Sequence, residues 1–254
     1  MNRNIEFILT KFNLGMLENR EYRINTIMVL LFDSSIVIVT LMLLLVLEQV
    51  SSITNWSVNQ YILFILFALV NGKIVFALTF RNFSHLLLNG DFTMYLNKPI
   101  SPFLFLLTHQ FNGANMLSLL IIAFPLAIIF SLFQEYVILS WIIFFIGTIQ
   151  CLILFWFVEL TSFFAKNNEF ISRPTKRLVW FFEEYVPLFF KNTSFFSFLA
   201  LIPSVIFSFL AVEVARGSFE YVYLLYYAIP TIPLFALLSY VLYKKGIQKY
   251  EAFG

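Results

Sequence analysis

The sequence predicts an all-α integral membrane protein with six transmembrane helices, an amphipathic amino-terminal helix and a further helix on the cytoplasmic side. Three observations carry this. The 254 residues are 61% hydrophobic and 12% charged, against roughly 45–50% and 25% in soluble domains, and the mean hydropathy is +0.88. The apolar residues gather in stretches of about 20, the length that crosses a hydrocarbon core of about 30 Å. The basic residues fall on one side of the resulting topology.

Residues 1–26 interleave Arg3, Lys11, Arg20 and Arg23 with Ile5, Phe7, Ile8, Leu9, Phe12, Leu14 and Leu17 at helical spacing, the pattern of a helix lying among cytoplasmic headgroups. The remainder, 27–254, reads as one six-span domain, since no stretch is polar and alternating enough to form a soluble one. The first span, 27–47, is too long for a signal-peptide core and lacks a small-residue cleavage site, so it is expected to stay in the mature chain. The second is 58–80. Asn112, Gly113 and Asn115 split the next apolar run into a short entering helix and a third span, 114–133, with Pro125 as a kink. Spans four to six follow at 137–165, 194–212 and 219–243. Between the fourth and fifth, Lys166 to Arg177 is basic and polar, and Leu178 to Lys191 is aromatic and interfacial.

With both termini inside, Arg3, Lys11, Arg20, Arg23, Arg81, Lys98, Lys166, Arg173, Lys176, Arg177, Lys191, Lys244, Lys245 and Lys249 are all cytoplasmic. Only Arg216 lies outside, and Lys73 lies within the membrane. Trp56, Tyr61, Tyr136, Trp141, Trp180, Tyr221 and Tyr243 fall near span ends, as in interfacial aromatic belts. A net charge of +2 in scattered groups argues against nucleic acid as a partner. The single cysteine, Cys151, excludes a disulfide framework and reads as a small packed hydrophobe.

The stretch 81–102 differs from every other interval between spans. Leu86, Leu87, Leu88, Phe92, Tyr95 and Leu96 recur at spacings of three to five around a Gly90-Asp91 turn. Pro99 and Pro102 then hold Lys98 and Ser101 extended, so the chain leaves rigidly toward the third span. The pattern fits either an ordinary loop resting on the bilayer or an element that transmits a push.

Asp33, Lys73 and Glu159 are the ionisable residues inside apolar spans, each roughly six to seven residues from its cytoplasmic helix end, about 10 Å. Unpaired charge is costly in lipid, so a shared depth predicts one cluster with Lys73 between the two carboxylates. Such a cluster would serve as a proton or ion relay, as a contact for a polar substrate head, or as a purely structural pair. His85 and His109 have no partner at metal-ligand spacing, and no metal site is expected. The chain has no HExxH, no Ser/His/Asp pattern and no GxxxxGK[ST], so ATP would have to be bound by another chain.

Four local patterns resemble the membrane-spanning subunits of type-two ATP-binding cassette (ABC) exporters, in particular the six-span permeases related to daunorubicin and viologen exporters. Glu21-Tyr22-Arg23-Ile24-Asn25 is similar to a Tyr-Arg-Ala-Asn entry. Asn89-Gly90-Asp91-Phe92-Thr93-Met94-Tyr95-Leu96-Asn97-Lys98-Pro99-Ile100-Ser101-Pro102 resembles the family's segment ending in Arg-Pro-(Leu/Val)-(Ser/Asn)-Pro. Tyr185-Val186-Pro187 with Ile202-Pro203 looks like the approach to the fifth span, and Gly246 to Gly254 like the closing Gly-Leu-Arg-(Arg/Lys)-Tyr-(Glu/Ser)-Ser-Ala-Gly. Lys98 stands for the usual Arg and Asn97 for a hydrophobe or Arg, and no proline occurs around Leu210-Ala211.

The resemblance implies a permease of bacterial plasma membranes, inactive as an enzyme and holding no cofactor, with ATP and Mg on a separate cytoplasmic ATPase present in two copies. A second permease copy or paralogue would complete the pathway among membrane lipids. The stretch 81–102 would be the coupling helix, with His85, Leu88, Gly90, Asp91, Phe92, Tyr95, Leu96, Lys98, Pro99, Ser101 and Pro102 passing motion from the ATPase to the third span. The many Phe side chains would suit a hydrophobic or amphipathic cargo such as a drug, lipid or peptide. A proton-coupled secondary transporter, a lipid-acting membrane enzyme and a structural or immunity protein are the competing classes. The first would use Asp33, Lys73 and Glu159.

Overall fold

A computed structural model describes residues 23–47, 56–79, 83–96, 113–165, 168–184 and 196–251, with the isolated positions 6, 7, 10, 13, 14, 17, 101 and 103. Among these residues there is no strand. The helices are α1 (Arg23–Leu47), α2 (Val58–Leu78), α3 (Phe83–Leu88), α4 (Thr93–Leu96), α5 (Gly113–Ser131), α6 (Val137–Leu160), α7 (Glu169–Glu184), α8 (Val205–Ala215) and α9 (Leu225–Glu251).

Among the described residues, four stretches are long and apolar enough to cross a membrane, those containing α2, α5, α6 and α9. The six expected spans therefore reduce to four on this criterion. α1 occupies the position of the first, and α8 that of the fifth as a shorter apolar helix. Helical residues occur at 6, 7, 10, 13, 14 and 17, while the rest of the expected amphipathic helix before Arg23 lies outside the described residues.

Proline and glycine explain the local shape. Pro125 has no N–H to return to Ile121, and the turn just before it, Leu119–Ala123, is wound as π-helix, which absorbs the missing bond within α5. Pro203 likewise precedes a π-wound Val205–Leu210. α8 is buried along its whole length and crosses α6 at Gly147, where a Cβ would come within 2.5 Å of the Phe207 nitrogen. Only glycine permits that approach. α6 also packs against α9, so these two helices and α8 form the centre of the fold, with Phe64, Phe67 and Phe144 filling the space toward α2.

Residues 169–177, read from sequence as a polar connection, belong to α7, which lays Ser172, Val179 and Phe182 against α6 and α2. Trp56 and Tyr221 are not belt residues at the lipid surface. They are 1% and 3% exposed, and Trp56 donates through Nε1 to Glu213 Oε1 at 2.7 Å.

Candidate functional site

The intramembrane charges lie on three helices. Asp33 of α1 meets Lys73 of α2, Oδ2 to Nζ, at 2.5 Å. Ser118 of α5 donates its hydroxyl to the same carboxylate, and Lys73 also donates to Asn115 Oδ1 at 3.2 Å. Glu159 does not join them. It faces α7 instead, accepting from Lys176 Nζ at 2.8 Å and from Ser172 Oγ at 3.1 Å. The single cluster expected of Asp33, Lys73 and Glu159 is thus two separate pairs. The physical reason is local, because α7 brings Lys176 to Glu159 from 17 residues away, and a carboxylate so paired gains little by reaching further.

The Asp33–Lys73 pair stands on the wall of a cavity of about 730 Å³ that runs between α1 and α2, with Phe32, Leu69, Phe76 and Met28 as its apolar faces and Asn115 and Glu183 as further polar ones. A second cavity, about 220 Å³, adjoins it across Gly72, Phe76 and Glu183 and reaches Lys176 and Trp180. Both signs of charge therefore face one largely apolar space. That arrangement can receive the polar head of an amphipathic molecule while its body lies against aromatic and aliphatic walls. Ser118, Asn115, Lys176 and Glu183 were not singled out from sequence as site residues, although Asn115 was read as a break in the apolar run and Lys176 as a cytoplasmic cation. The first two are polar residues in an apolar helix, which was the available signal.

At one end of the bundle residues 83–96 form an elbow. α3 and α4 are joined by a turn in which Gly90 adopts φ 77°, a left-handed conformation that glycine enters without penalty. Phe83 and Phe92 point into the protein with no exposure, together with Leu160. The Phe92 ring lies 5.6 Å from those of Phe83 and Phe163 and 5.2 Å from Tyr250, all edge-on. Leu96, half-buried, packs against the same cluster. Phe92 and Leu96 therefore belong to the elbow's inner face. His85, Leu88 and Gly90 are exposed, Asp91 is half-buried, and Met94, which the sequence did not single out, is 60% exposed. Tyr95 lies in α4 and Ser101 is exposed. Lys98, Pro99 and Pro102 lie outside the described residues, as does His109.

Both sides of the elbow's inner cluster come from spans. The end of α6 contributes Leu160 and continues to Phe163, and the end of α9 contributes Leu242, Ile247 and Tyr250. Gly246 of α9 has no room for a Cβ against the Phe163 ring, which accounts for the glycine that opens the carboxy-terminal pattern.

The family model of the ABC-2 family transporter protein matches residues 34–254. The chain belongs to this family. The match takes in the elbow, Lys73, the Glu159–Lys176 pair and α9 of this ABC-2 protein, and begins one residue after Asp33. No curated protein and no solved structure matches it.

Proposed function

We propose that this ABC-2 protein is the non-catalytic permease subunit of an ATP-driven exporter in a bacterial plasma membrane, a single six-span domain with both termini cytoplasmic. Two permease subunits, identical or paralogous, enclose the pathway, and two ATPase subunits below bind ATP and Mg. α1 and α8 complete the six spans. The cargo is a hydrophobic or amphipathic molecule, and the cavity beside Asp33 and Lys73 is part of its path. ATP binding moves the assembly by favouring one arrangement of the elbow over another.

The observation that carries this reading is the two-sidedness of the elbow. Phe83 and Phe92 are sealed against α6 and α9, whereas Leu88 and Met94 stand 57% and 60% exposed on the same short element. Exposed apolar side chains beside buried ones on one rigid turn suit a surface that meets another protein. The outer residues His85, Leu88, Gly90 and Met94 then touch the ATPase, and Phe92 passes the displacement to α6 and α9.

Affinity purification in mild detergent tests this. Wild-type chain brings down a soluble protein bearing GxxxxGK[ST], with ATP turnover in the eluate, while Leu88→Asp with Met94→Asp inserts normally and arrives without it. Association that survives the double substitution overturns the docking assignment. A wild-type chain that arrives alone favours the proton-coupled reading instead, for which the cavity-facing Asp33–Lys73 pair is the specific support.

A further inference from the structure

We propose that the cleft between the elbow-side ends of α6 and α9 is a binding site for one anionic glycerophospholipid. The cleft, about 370 Å³, is lined by Phe103, Ile153, Trp156, Ala236, Ser239 and Tyr240, and its volume lies in the range of small-molecule sites. It is separate from the cavity beside Asp33. Its walls are aromatic and aliphatic, which suits an acyl chain.

One polar atom in it is unanswered. Ser239 is 7% exposed, and its Oγ has no hydrogen-bond partner. A serine inside an apolar helix ordinarily returns its hydroxyl to the carbonyl four residues earlier, as Ser208 does to Ser204. Three other polar groups of the cleft are engaged: Trp156 Nε1 donates to the Leu78 carbonyl at 3.0 Å, and the Tyr243 hydroxyl bonds Ser101 and the Phe103 backbone. A lipid ester carbonyl, an acceptor carried at the top of an acyl chain, supplies what Ser239 lacks.

The headgroup follows from helix geometry. Lys244 stands four residues beyond Tyr240 and so overlies the same face one turn further out. It is exposed, and it lies five residues, about 7.5 Å, beyond Ser239 along the axis. A lipid whose ester meets Ser239 and whose headgroup lies over Tyr240, on the flank of the cleft that Lys244 shares, brings its phosphate within reach of the long Lys244 side chain, and a second negative or uncompensated charge in the headgroup strengthens that contact. Because Phe103, Trp156 and Tyr243 also pack against the elbow cluster, an occupied cleft stiffens the joint between elbow, α6 and α9.

Native mass spectrometry of the purified full chain, titrated in detergent with dioleoyl phosphatidylglycerol or dioleoyl phosphatidylcholine, reads the site directly. The wild type retains phosphatidylglycerol in preference to phosphatidylcholine. Lys244→Gln removes that preference, a loss on the order of tenfold, and leaves phosphatidylcholine binding in place. Ser239→Ala weakens both lipids alike, and Ala236→Trp, which fills the cleft, abolishes the retained lipid while Ile138→Trp on another exposed face does not. If Ala236→Trp fails to run as a single species, Ser239→Leu fills the same space from the neighbouring turn. Equal retention by wild type and either filled cleft overturns the site, and a preference that survives Lys244→Gln overturns the headgroup assignment. ATPase association plays no part in the readout, so the site stands or falls independently of the exporter reading.

Discussion

Two buried carboxylates, Asp33 and Glu213, carry the same charge among apolar helices and are held in opposite ways. Glu213 is fully sealed, and its partner lies three residues away: Arg216 donates to Oε2 through Nη2 at 2.7 Å and Nε at 3.1 Å. Trp56 holds the other oxygen, so the pair ties the start of α2 to the end of α8. Asp33 is paired with Lys73 on a different helix, beside an open cavity. A pair made within one turn survives any rearrangement of the helices around it. A pair made between α1 and α2 exists only while those helices keep their present spacing, so it responds to any change in how they pack.

The contrast breaks if the two carboxylates prove interchangeable. Glu213→Ala should cost most, about 3–5 kcal/mol, because it leaves the Arg216 guanidinium without its carboxylate in a largely enclosed place. Thermal unfolding in detergent, followed by size-exclusion chromatography, reads this as a large fall in midpoint or in folded yield. Lys73→Met should cost less, about 2–3 kcal/mol, since Asp33 keeps the Ser118 hydroxyl and borders a cavity that admits water. Asp33→Asn combined with Lys73→Met should recover most of that loss by removing the buried charge altogether. A double variant as unstable as Lys73→Met alone would show that the pair also sets the packing of α1 on α2.

How much of this was legible in sequence depends on how far apart the partners lie. Asp33 and Lys73 announced themselves because charge inside an apolar run must find a partner, and each supplied the other. Glu159 announced itself equally, but its partner Lys176 lies on an amphipathic helix that carries Pro174 in its interior and whose first half was read as a polar connection. The elbow's turn at Gly90 was plain from residue type, whereas the inward direction of Phe92 was not. A helical spacing of apolar residues fits both an interface helix and a packed one, and what decides here is Leu160 and Tyr250, brought in from distant parts of the chain. Gly147 gave no signal in an apolar helix, and Gly246 only marked the start of a pattern, until the Phe207 backbone and the Phe163 ring were seen against them.

Trp56 shows the same limit and sharpens the opening contrast by its smallest term. A tryptophan ahead of a span reads as a belt residue facing headgroups, yet here the indole is enclosed by Tyr61, Phe64 and Phe209, with centroids 5.2, 5.6 and 6.0 Å away. Trp56→Phe keeps most of that ring packing and removes one hydrogen bond to a carboxylate, so the expected cost is about 1.5 kcal/mol. If Glu213 is truly sealed, that cost should be unchanged by salt, since a charge shielded from solvent is shielded from ions too. Unfolding midpoints of Trp56→Phe and wild type, compared at low and high ionic strength, check it. A difference that shrinks as salt rises would place Glu213 in contact with water, and the distinction between the fixed pair and the responsive one would then rest on Asp33 alone.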